Sequence, residues 1–203
     1  QTVHDLMQFA DANFIRFKLL PDFRGFIGRK VEVSFYDDIP ILMIRKEPLD
    51  NIVNRILKRW FDILFSMLII VLIFPWLLPI IAIAIKFNSK GPVFFKQQRS
   101  GQNNKAFPCF KFRSMYVNSN ADNLQATKND SRITSVGKIL RKTSLDEIPQ
   151  FFNVLLGSMS VVGPRPHMLL HTETYSKLVS NFMVRHFVKP GITGLAQVKG
   201  LRG

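Results

Sequence analysis

The most prominent pattern in the chain is an apolar block over residues 61–85. It contains one charged side chain, Asp62, close to its start. At about 1.5 Å per residue, a straight helix of this length would be roughly 37 Å long, enough to cross a hydrocarbon core of about 30 Å. A helix so apolar on every face would otherwise need a larger protein around it than the remaining residues supply. The pattern therefore predicts a membrane segment.

Pro75 and Pro79 interrupt this block. Each proline lacks a backbone N–H and clashes with the preceding turn, so we expect the helix to break near its middle. The 14 residues before Pro75 and the 10 after it are each too short to span a bilayer alone. Basic residues flank both ends of the block: Lys58, Arg59, Lys86 and Lys90.

These flanks give no orientation for a single crossing, because positive charge marks the cytoplasmic side and occurs here at both ends. We therefore expect a re-entrant helix that enters one leaflet and returns, with both basic ends seated on the cytoplasmic face. A helix that spans the bilayer is the alternative.

The segment before the block is predicted to be an α/β piece. A short amphipathic helix is expected over Val3–Ala12, followed by strands over 14–19, 31–35 and 41–44, with breaks at Gly and Pro. A further helix over 51–60 leads into the apolar block. Residues 1–57 contain eight basic and eight acidic side chains and no catalytic constellation.

After the block the chain is predicted to be mixed and helix-rich. Strands are expected over 93–96 and 107–112, with a turn over 97–101 between them. Helices are expected over 136–141 and from about 146 to the residue before Gly157. Two Gly/Pro loops follow, at 163–166 and 189–194.

Charge narrows the class of partner. The chain has a net charge of +14, and residues 58–203 carry all of it, which favours an anionic partner such as nucleic acid, a membrane surface or a phosphate-bearing substrate. The 47% hydrophobic content excludes a disordered polybasic tail. Because Cys109 is the one cysteine, the chain has neither a disulfide scaffold nor a thiolate zinc site.

The run SLDEIPQ at 144–150 carries the densest chemical signal. Pro149 is tolerated only in a first helical turn, so a helix should start at about 144–146 and place Asp146 and Glu147 at its positive end. Ser144 with Glu147 three residues later is the pattern of a capping box. A purely structural role for the pair is therefore one interpretation.

The other interpretation is catalytic. Arg141 and Lys142 lie just before this helix start, and cations beside a helix N-terminus make a phosphate site. An Asp-Glu pair there could hold a magnesium ion, which prefers oxygen ligands, or attack phosphorus directly.

Further cations and histidines are spread along the second part of the chain. Lys111 and Arg113 alternate with aromatic residues, as on a strand with one buried face. Arg165 lies between two prolines. An ordinary turn is the default interpretation, and the alternative is a guanidinium that the prolines hold ready for bidentate phosphate recognition. His167 and His171 are four residues apart but have no third metal ligand nearby in sequence, so no metal site is assigned to them.

In combination and order these runs resemble one family. From about Leu57 onwards the chain resembles the bacterial sugar transferases, the monotopic phosphoglycosyl transferases, with Phe74-Pro75 where the family often has Ser-Pro. Seven features carry the resemblance: KRWFD at 58–62, the proline-broken block, GPVFF at 91–95, KFRSM at 111–115, SLDEIPQ at 144–150, GPRP at 163–166 and PGITG at 190–194.

The resemblance implies an α/β, mixed and helix-rich, membrane-associated transferase domain with a proline-broken re-entrant helix, preceded by the C-terminal part of a Rossmann-like α/β domain. The domains would be 1–50 for the accessory part, 51–90 for the linker and re-entrant helices, and 91–203 for the transferase, which we expect to continue beyond Gly203. The expected location is the bacterial inner membrane, with the active site on the cytoplasmic face.

The resemblance also implies a reaction. A sugar 1-phosphate would pass from a nucleotide diphosphate sugar to polyprenyl phosphate, through a phosphosugar on Asp146, with Mg²⁺ held by Asp146 and Glu147. The expected sugar is glucose, with galactose and N-acetylhexosamines as alternatives. Four cations would hold the substrate phosphates: Lys111, Arg113, Arg141 and Arg165.

The expected partners are thus a nucleotide sugar, polyprenyl phosphate and the lipid bilayer, with a homodimer also considered and no nucleic acid. Two other functions are retained for comparison. One is a catalytically silent membrane scaffold of the same family. The other is a membrane-anchored nucleic-acid-binding protein, suggested by the sequence pI of about 10.3 and by aromatic residues among the cations.

Overall fold

The computed structural model describes residues 3–13, 32–36, 39–43, 47–117, 127, 130–179 and 182–200. The chain divides into two compact units, residues 1–52 and residues 53–203. The strand predicted over 14–19 lies outside the described residues.

The first unit contains a helix and a hairpin. Helix α1 covers Val3–Ala12, as predicted. Strands β1, Glu32–Tyr36, and β2, Ile39–Met43, pair antiparallel with Val33 opposite Leu42, so the strands predicted over 31–35 and 41–44 are confirmed to within two residues. One helix and one antiparallel hairpin do not define a Rossmann-like unit, and that assignment stays a prediction.

A bent helix pair opens the second unit. Helix α2, Ile52–Leu72, absorbs the helix predicted over 51–60, and α3 covers Phe74–Asn88. The two axes are bent by 61°. Pro75 causes the break, because its nitrogen has no hydrogen to donate to the carbonyl one turn earlier. Pro79 lies inside α3, so the helix continues through this second proline and the expected break is at Pro75 only.

No single helix in the described part of the chain is long and apolar enough to span a membrane. By length and composition, α2 and α3 pass that test only as a bent pair.

A hairpin follows the helix pair. Strand β3 covers Phe94–Ser100 and pairs antiparallel with β4, Ala106–Phe112, with Gln97 opposite Cys109. The strand predicted over 107–112 is confirmed, but the turn predicted over 97–101 is wrong. The polar residues there remain in the strand because pairing with β4 satisfies their backbone groups, and the connection is a short turn at Gln102–Asn104.

The remaining elements surround this hairpin, and the mixed, helix-rich α/β class is confirmed. Strands β5, Ser160–Val162, and β6, Gly191–Thr193, pair in parallel. The helix predicted over 136–141 is correct to within one residue at each end. In chain order the elements are α4 Ser135–Lys142, α5 Gln150–Leu156, β5 Ser160–Val162, α6 Leu169–Leu178, β6 Gly191–Thr193 and α7 Leu195–Val198.

Two buried clusters form the core of the second unit. The first joins β4 to α5 and β5, through residues such as Phe107, Val154 and Met159. The second joins α3 to β4 and α4. Its centre is Phe74 at the bend, whose ring stacks on Phe112 at 6.2 Å and meets Phe152 edge-on at 4.9 Å.

Gly137 tests the close packing of α4. A Cβ at this position would lie 1.9 Å from the carbonyl oxygen of Ser114. An alanine in place of a helical glycine ordinarily stabilises by about 1 kcal/mol, whereas Gly137→Ala should lower the free energy of unfolding by about 1–3 kcal/mol because the backbone contact must open. Denaturant unfolding measures this, with the exposed Ser135→Ala as control; a more stable Gly137→Ala would show that the contact is not close.

Candidate active site

Asp146 and Glu147 lie in a short 3₁₀ turn, Leu145–Glu147, between α4 and α5. The capping box predicted from Ser144 is wrong. Ser144 has φ of 58° and its hydroxyl makes no capping bond; instead the backbone N–H of Glu147 donates to the Ser144 carbonyl at 3.2 Å. A left-handed residue turns the chain sharply out of α4, so α5 begins only after Pro149.

A buried asparagine fixes α5 against the β3–β4 hairpin. The Asn153 side chain accepts a hydrogen bond from the Phe110 N–H at 2.9 Å and donates to the Pro108 carbonyl at 2.7 Å. It therefore bonds to the backbone of β4 as a neighbouring strand would, and it holds the helix that follows the carboxylate turn. Sequence reasoning missed Asn153, although an Asn in an otherwise apolar helix was a usable signal.

The other end of α5 is held from α2. The guanidinium of Arg59 donates to the carbonyls of Val154 and Leu155 at 2.7 and 2.8 Å. These carbonyls lie in the last turn of a helix and need a donor from outside it. Arg59, expected to seat the helix on a membrane, thus also closes the end of α5.

The carboxylate turn opens into a cleft of about 460 Å³. The structure brings together there both predicted carboxylates and three of the four predicted cations. Residues that sequence reasoning missed also line the cleft, from β6 and α7. Its polar lining is Lys111, Arg141, Ser144, Asp146, Glu147, Arg165, Thr193 and Gln197.

Glu147 is held by two cations. The Lys111 ammonium lies 2.7 Å from its Oε1, and the Arg165 guanidinium lies 3.2 Å from the same oxygen. Burial alone would raise the pKa of Glu147, but the charges of Lys111 and Arg165 outweigh it and hold this pKa below its ordinary value. Both hydrogen bonds fall on Oε1, and the second oxygen, Oε2, accepts no hydrogen bond from the described residues.

Asp146 has the opposite environment. It is 7% exposed and makes no ion pair within the described part of the chain. Burial raises the pKa of Asp146, the charge of Glu147 adds to this, and Lys111 and Arg141 oppose it. A buried carboxylate whose lone pairs are not engaged by a cation is available to a ligand or to an electrophile.

Arg141 is the cation that faces this carboxylate without a partner. Its Nη1 is buried and has no hydrogen bond, and the side chain has no ion pair among the described residues. A guanidinium held in this way beside a cleft is suited to an anion with several oxygens.

The carboxylates fit a magnesium ion. No group of three or more His, Cys, Asp or Glu side chains comes together among the described residues. Magnesium at phosphoryl-transfer sites is commonly held by one or two carboxylates together with substrate phosphates. The adjacent carboxylates Asp146 and Glu147 are compatible with such an ion, and magnesium at this place stays a prediction.

Arg113 does not line the cleft, contrary to its predicted role as a phosphate ligand. It is 6% exposed, and its guanidinium donates to the carbonyls of Ser89 and Lys90 at 2.7 and 2.9 Å. Gly91, with φ of 127°, makes room for it, since a Cβ there would meet the Arg113 Nη1. Arg113 therefore donates hydrogen bonds to carbonyls at the C-terminal end of α3, a role that its charge alone does not predict.

Two arginines form a layer behind the cleft. Arg99 donates to the Gln97 side chain at 2.5 Å and, with Lys111 and Glu147, borders a small cavity of about 20 Å³, enough for one water. Arg185 donates to the Arg165 carbonyl at 2.8 Å and so supports the loop that carries Arg165.

The two histidines lie beside aromatic rings. His167 meets Phe182 edge-on at 5.7 Å and Tyr175 at 6.4 Å. Burial, together with the nearby charge of Arg185, lowers the pKa of His167 to about 4. His171 lies near the same Tyr175 ring, at 6.1 Å.

Comparison with known proteins identifies the family of the chain. The family model described as "Bacterial sugar transferase" matches residues 53–203, which contain the whole cleft. The chain belongs to the bacterial sugar transferase family. The match begins one residue after α2 starts, so the helix pair lies within the matched region of this sugar transferase.

Three relatives of this sugar transferase are informative. A Klebsiella pneumoniae protein named UDP-glucose:undecaprenyl-phosphate glucose-1-phosphate transferase is 52% identical over 91% of the chain and 39% of the relative. An Escherichia coli K12 protein of the same name is 49% identical over 91% of the chain and 40% of the relative. The exopolysaccharide production protein PSS of Rhizobium leguminosarum is 50% identical over 74% of the chain and 77% of that relative. The chain thus spans about two fifths of the length of the first two.

Opposite effects on stability are expected from the two carboxylates of the transferase. Asp146→Asn should stabilise the metal-free chain at neutral pH by about 1–2 kcal/mol, because it removes a buried charge that lacks an ion pair, and Glu147→Gln should destabilise it by about 2 kcal/mol. Denaturant unfolding between pH 3 and 7 in a chelator measures both.

The pH dependence gives the control. The lowered pKa of Glu147 adds stability that is present at neutral pH and lost as the pH falls below its ordinary value of about 4.3. The raised pKa of Asp146 means that its cost disappears as the pH falls through that pKa, so the gain from Asp146→Asn should vanish in acid. A gain that persists unchanged at low pH would contradict the assigned environment.

Arg113→Met should lower the free energy of unfolding of the chain by about 2–4 kcal/mol, because it leaves buried carbonyls at the C-terminal end of α3 without donors. Lys138→Met, which removes a charge from an exposed position of α4, should have little effect. If Arg113 held substrate phosphate instead, Arg113→Met would keep its stability and lose activity.

Proposed function

We propose that the chain catalyses transfer of a sugar 1-phosphate from a UDP-hexose, with glucose as the first candidate, to undecaprenyl phosphate. One observation carries this proposal: Asp146 lies buried in a cleft without an ion pair, directly beside Glu147, which two cations already hold. One carboxylate is thus left open to react while its neighbour is fixed. The names of the relatives supply the substrates.

The cleft is suited to the diphosphate of the donor. Arg141 has no partner among the described residues, and Lys111 and Arg165 share a single carboxylate oxygen, so all three keep N–H groups for phosphate oxygens. Charge clamping of this kind supplies much of the stabilisation in phosphoryl transfer. Arg113 is left out of this set because it does not line the cleft and its Nη1 and Nη2 donate to carbonyls at the end of α3.

The reaction has two displacement steps. An oxygen of the Asp146 carboxylate forms a bond to the sugar-linked phosphorus, the bond from that phosphorus to the bridging oxygen breaks, and the nucleoside monophosphate leaves with the electron pair. A phosphate oxygen of the polyprenyl acceptor then attacks the same phosphorus. The bond to Asp146 breaks, the carboxylate is restored, and a polyprenyl diphosphate sugar is released.

Glu147 and magnesium would assist at the same place. Asp146 and Glu147 would hold magnesium, and the ion would supply neutralisation of charge on the donor phosphates. The two cations on Oε1 keep Glu147 ionised, so it would position the ion or accept a proton without competing as nucleophile.

The surface of α2 and α3 supports a seat in one leaflet of the bilayer. The buried residues of α2 are polar, Asp62 and Ser66, whereas large apolar side chains on the same pair of helices are exposed, among them Leu64 at 61% and Trp76 at 78%. Such an inverted helix needs an apolar environment outside the protein. The bend at Pro75 allows entry and return on one face, the cytoplasmic face of the inner membrane, where the acceptor phosphate lies.

Trapping the intermediate tests the nucleophile. With a donor radiolabelled in the sugar-linked phosphate and no acceptor, the wild-type chain should release up to one equivalent of nucleoside monophosphate and retain label on the protein. Asp146→Asn should do neither and should lose at least about a thousandfold in turnover, since it removes the covalent path. Lys138→Gln, an exposed change on α4, should behave as wild type.

Full turnover by Asp146→Asn would reject Asp146 as the nucleophile. A wild-type chain that releases no nucleoside monophosphate from any nucleotide sugar, with or without polyprenyl phosphate, would instead favour a silent scaffold. Salt-sensitive binding of an oligonucleotide in the same preparation would favour the nucleic-acid-binding function.

A further inference from the structure

A second group of cations lies away from the catalytic cleft, around Gly157 at the far end of α5. A Cβ on Gly157 would lie 3.6 Å from the Arg59 Nη2 and 3.7 Å from the Lys189 Nζ. Lys58 is the residue before Arg59 on α2 and completes the cluster. We call these three residues the α2 cation cluster. Because α5 is roughly 10 Å long and the carboxylate turn precedes it, the cluster is separated from Asp146 by the length of this helix.

Among the described residues, Asp62 is the carboxylate near this cluster, and it is already engaged. Asp62 is 3% exposed. Its Oδ1 accepts hydrogen bonds from the Ser160 hydroxyl and the Val161 N–H, each at 3.0 Å, and lies 3.6 Å from the Lys58 ammonium. Lys58 also donates to the Ser160 hydroxyl at 2.6 Å. Asp62 therefore balances at most one of the three positive charges.

Lys189 is the cation left over. It is half-buried and has neither a hydrogen bond nor an ion pair among the described residues. Burial lowers the pKa of Lys189, and the charges of Arg59 and Lys58 lower it further against the smaller effect of Asp62. The Lys189 ammonium lies beside two other cations and makes no ion pair of its own among the described residues, which lowers the stability of the fold. An anion from outside the protein that occupied the cluster would offset this cost.

The position of the cluster indicates which anion. Lys58 and Arg59 are followed directly by the exposed apolar residues of α2, with Trp60 at 59%, Phe61 at 49% and Leu64 at 61% exposed. A helix that enters a leaflet at Phe61 places the preceding basic residues at the depth of the lipid phosphates. Arg59 keeps N–H groups beyond the two that it donates to the α5 carbonyls, and Lys58 and Lys189 add point charges that suit a phosphate.

We propose that the α2 cation cluster of Lys58, Arg59 and Lys189 binds the phosphate of an anionic phospholipid headgroup. The inference rests on the membrane seat proposed above, and it assigns to the cluster an anchoring role separate from the reaction at Asp146. The bound phosphate supplies the negative charge that the protein lacks at Lys189. It also fixes the entry point of α2 relative to α5.

Charge-removing variants of matched size test the site. Lys189→Gln should weaken binding to vesicles of phosphatidylcholine and phosphatidylglycerol in equal parts by about fivefold, the factor expected for one basic residue close to an anionic surface. Lys138→Gln, exposed on α4, should lose less than half of that. In phosphate-free detergent, Lys189→Gln should unfold at the same temperature as the wild type or higher, because it relieves repulsion.

The outcomes separate the site from the membrane seat. If the wild type binds the vesicles and the two variants bind them equally, the site is overturned and the membrane seat stands. If the wild type binds neither these vesicles nor pure phosphatidylcholine, both the seat and the lipid assignment fail. If inorganic phosphate raises the unfolding temperature of the wild type but not of Lys189→Gln, while vesicle binding is equal, the cluster binds free phosphate and the lipid assignment is overturned.

Discussion

The second unit depends on attaching a helix pair whose apolar surface is largely exposed. Three groups of contacts attach this helix pair to the rest of the unit. Asp62 and Arg59 bond α2 to β5 and α5, Phe74 packs at the bend, and Arg113 bonds the chain end of α3. Hydrogen bonds hold the first part of α2 and the C-terminal end of α3, and apolar packing holds the bend between them. The other apolar faces of the two helices therefore remain exposed. A helix pair attached only by its apolar residues would have no such face left.

The same contacts position the site. Arg59 closes the end of α5, and Asn153 fastens the middle of that helix to β4. The carboxylate turn precedes α5, and Lys111 projects from β4 to Glu147. A shift of α2 would therefore reach Asp146 through one short helix. For the proposed membrane seat and nucleophile, this coupling would keep Asp146 at a fixed height above the lipid phosphates.

The sequence predicted the helices and strands better than the connections between them. Apolar periodicity located the helix pair, β4 and α4, because each has a clear buried or apolar face. The capping box predicted at Ser144 was wrong because this residue adopts a left-handed conformation. The turn predicted over 97–101 was wrong because pairing with β4 keeps these polar residues in a strand. For the site, motif order brought together Lys111, Arg141, Asp146, Glu147 and Arg165. It misplaced Arg113, because a buried helix end and an anionic ligand attract the same guanidinium.

A cation's role in this chain is thus decided by its partner within the protein, which net charge does not record. Arg113 donates to carbonyls at the end of α3 and has a structural role. Arg59 also donates to two carbonyls, of α5, but it keeps further N–H groups for the α2 cation cluster. Lys111 and Arg165 hold a carboxylate that keeps them in place with donors to spare. Arg141 and Lys189 have no hydrogen bond or ion pair among the described residues. Each costs energy in the isolated chain, and each is best explained by a phosphate from outside it, a reacting phosphate at Arg141 and a lipid phosphate at Lys189.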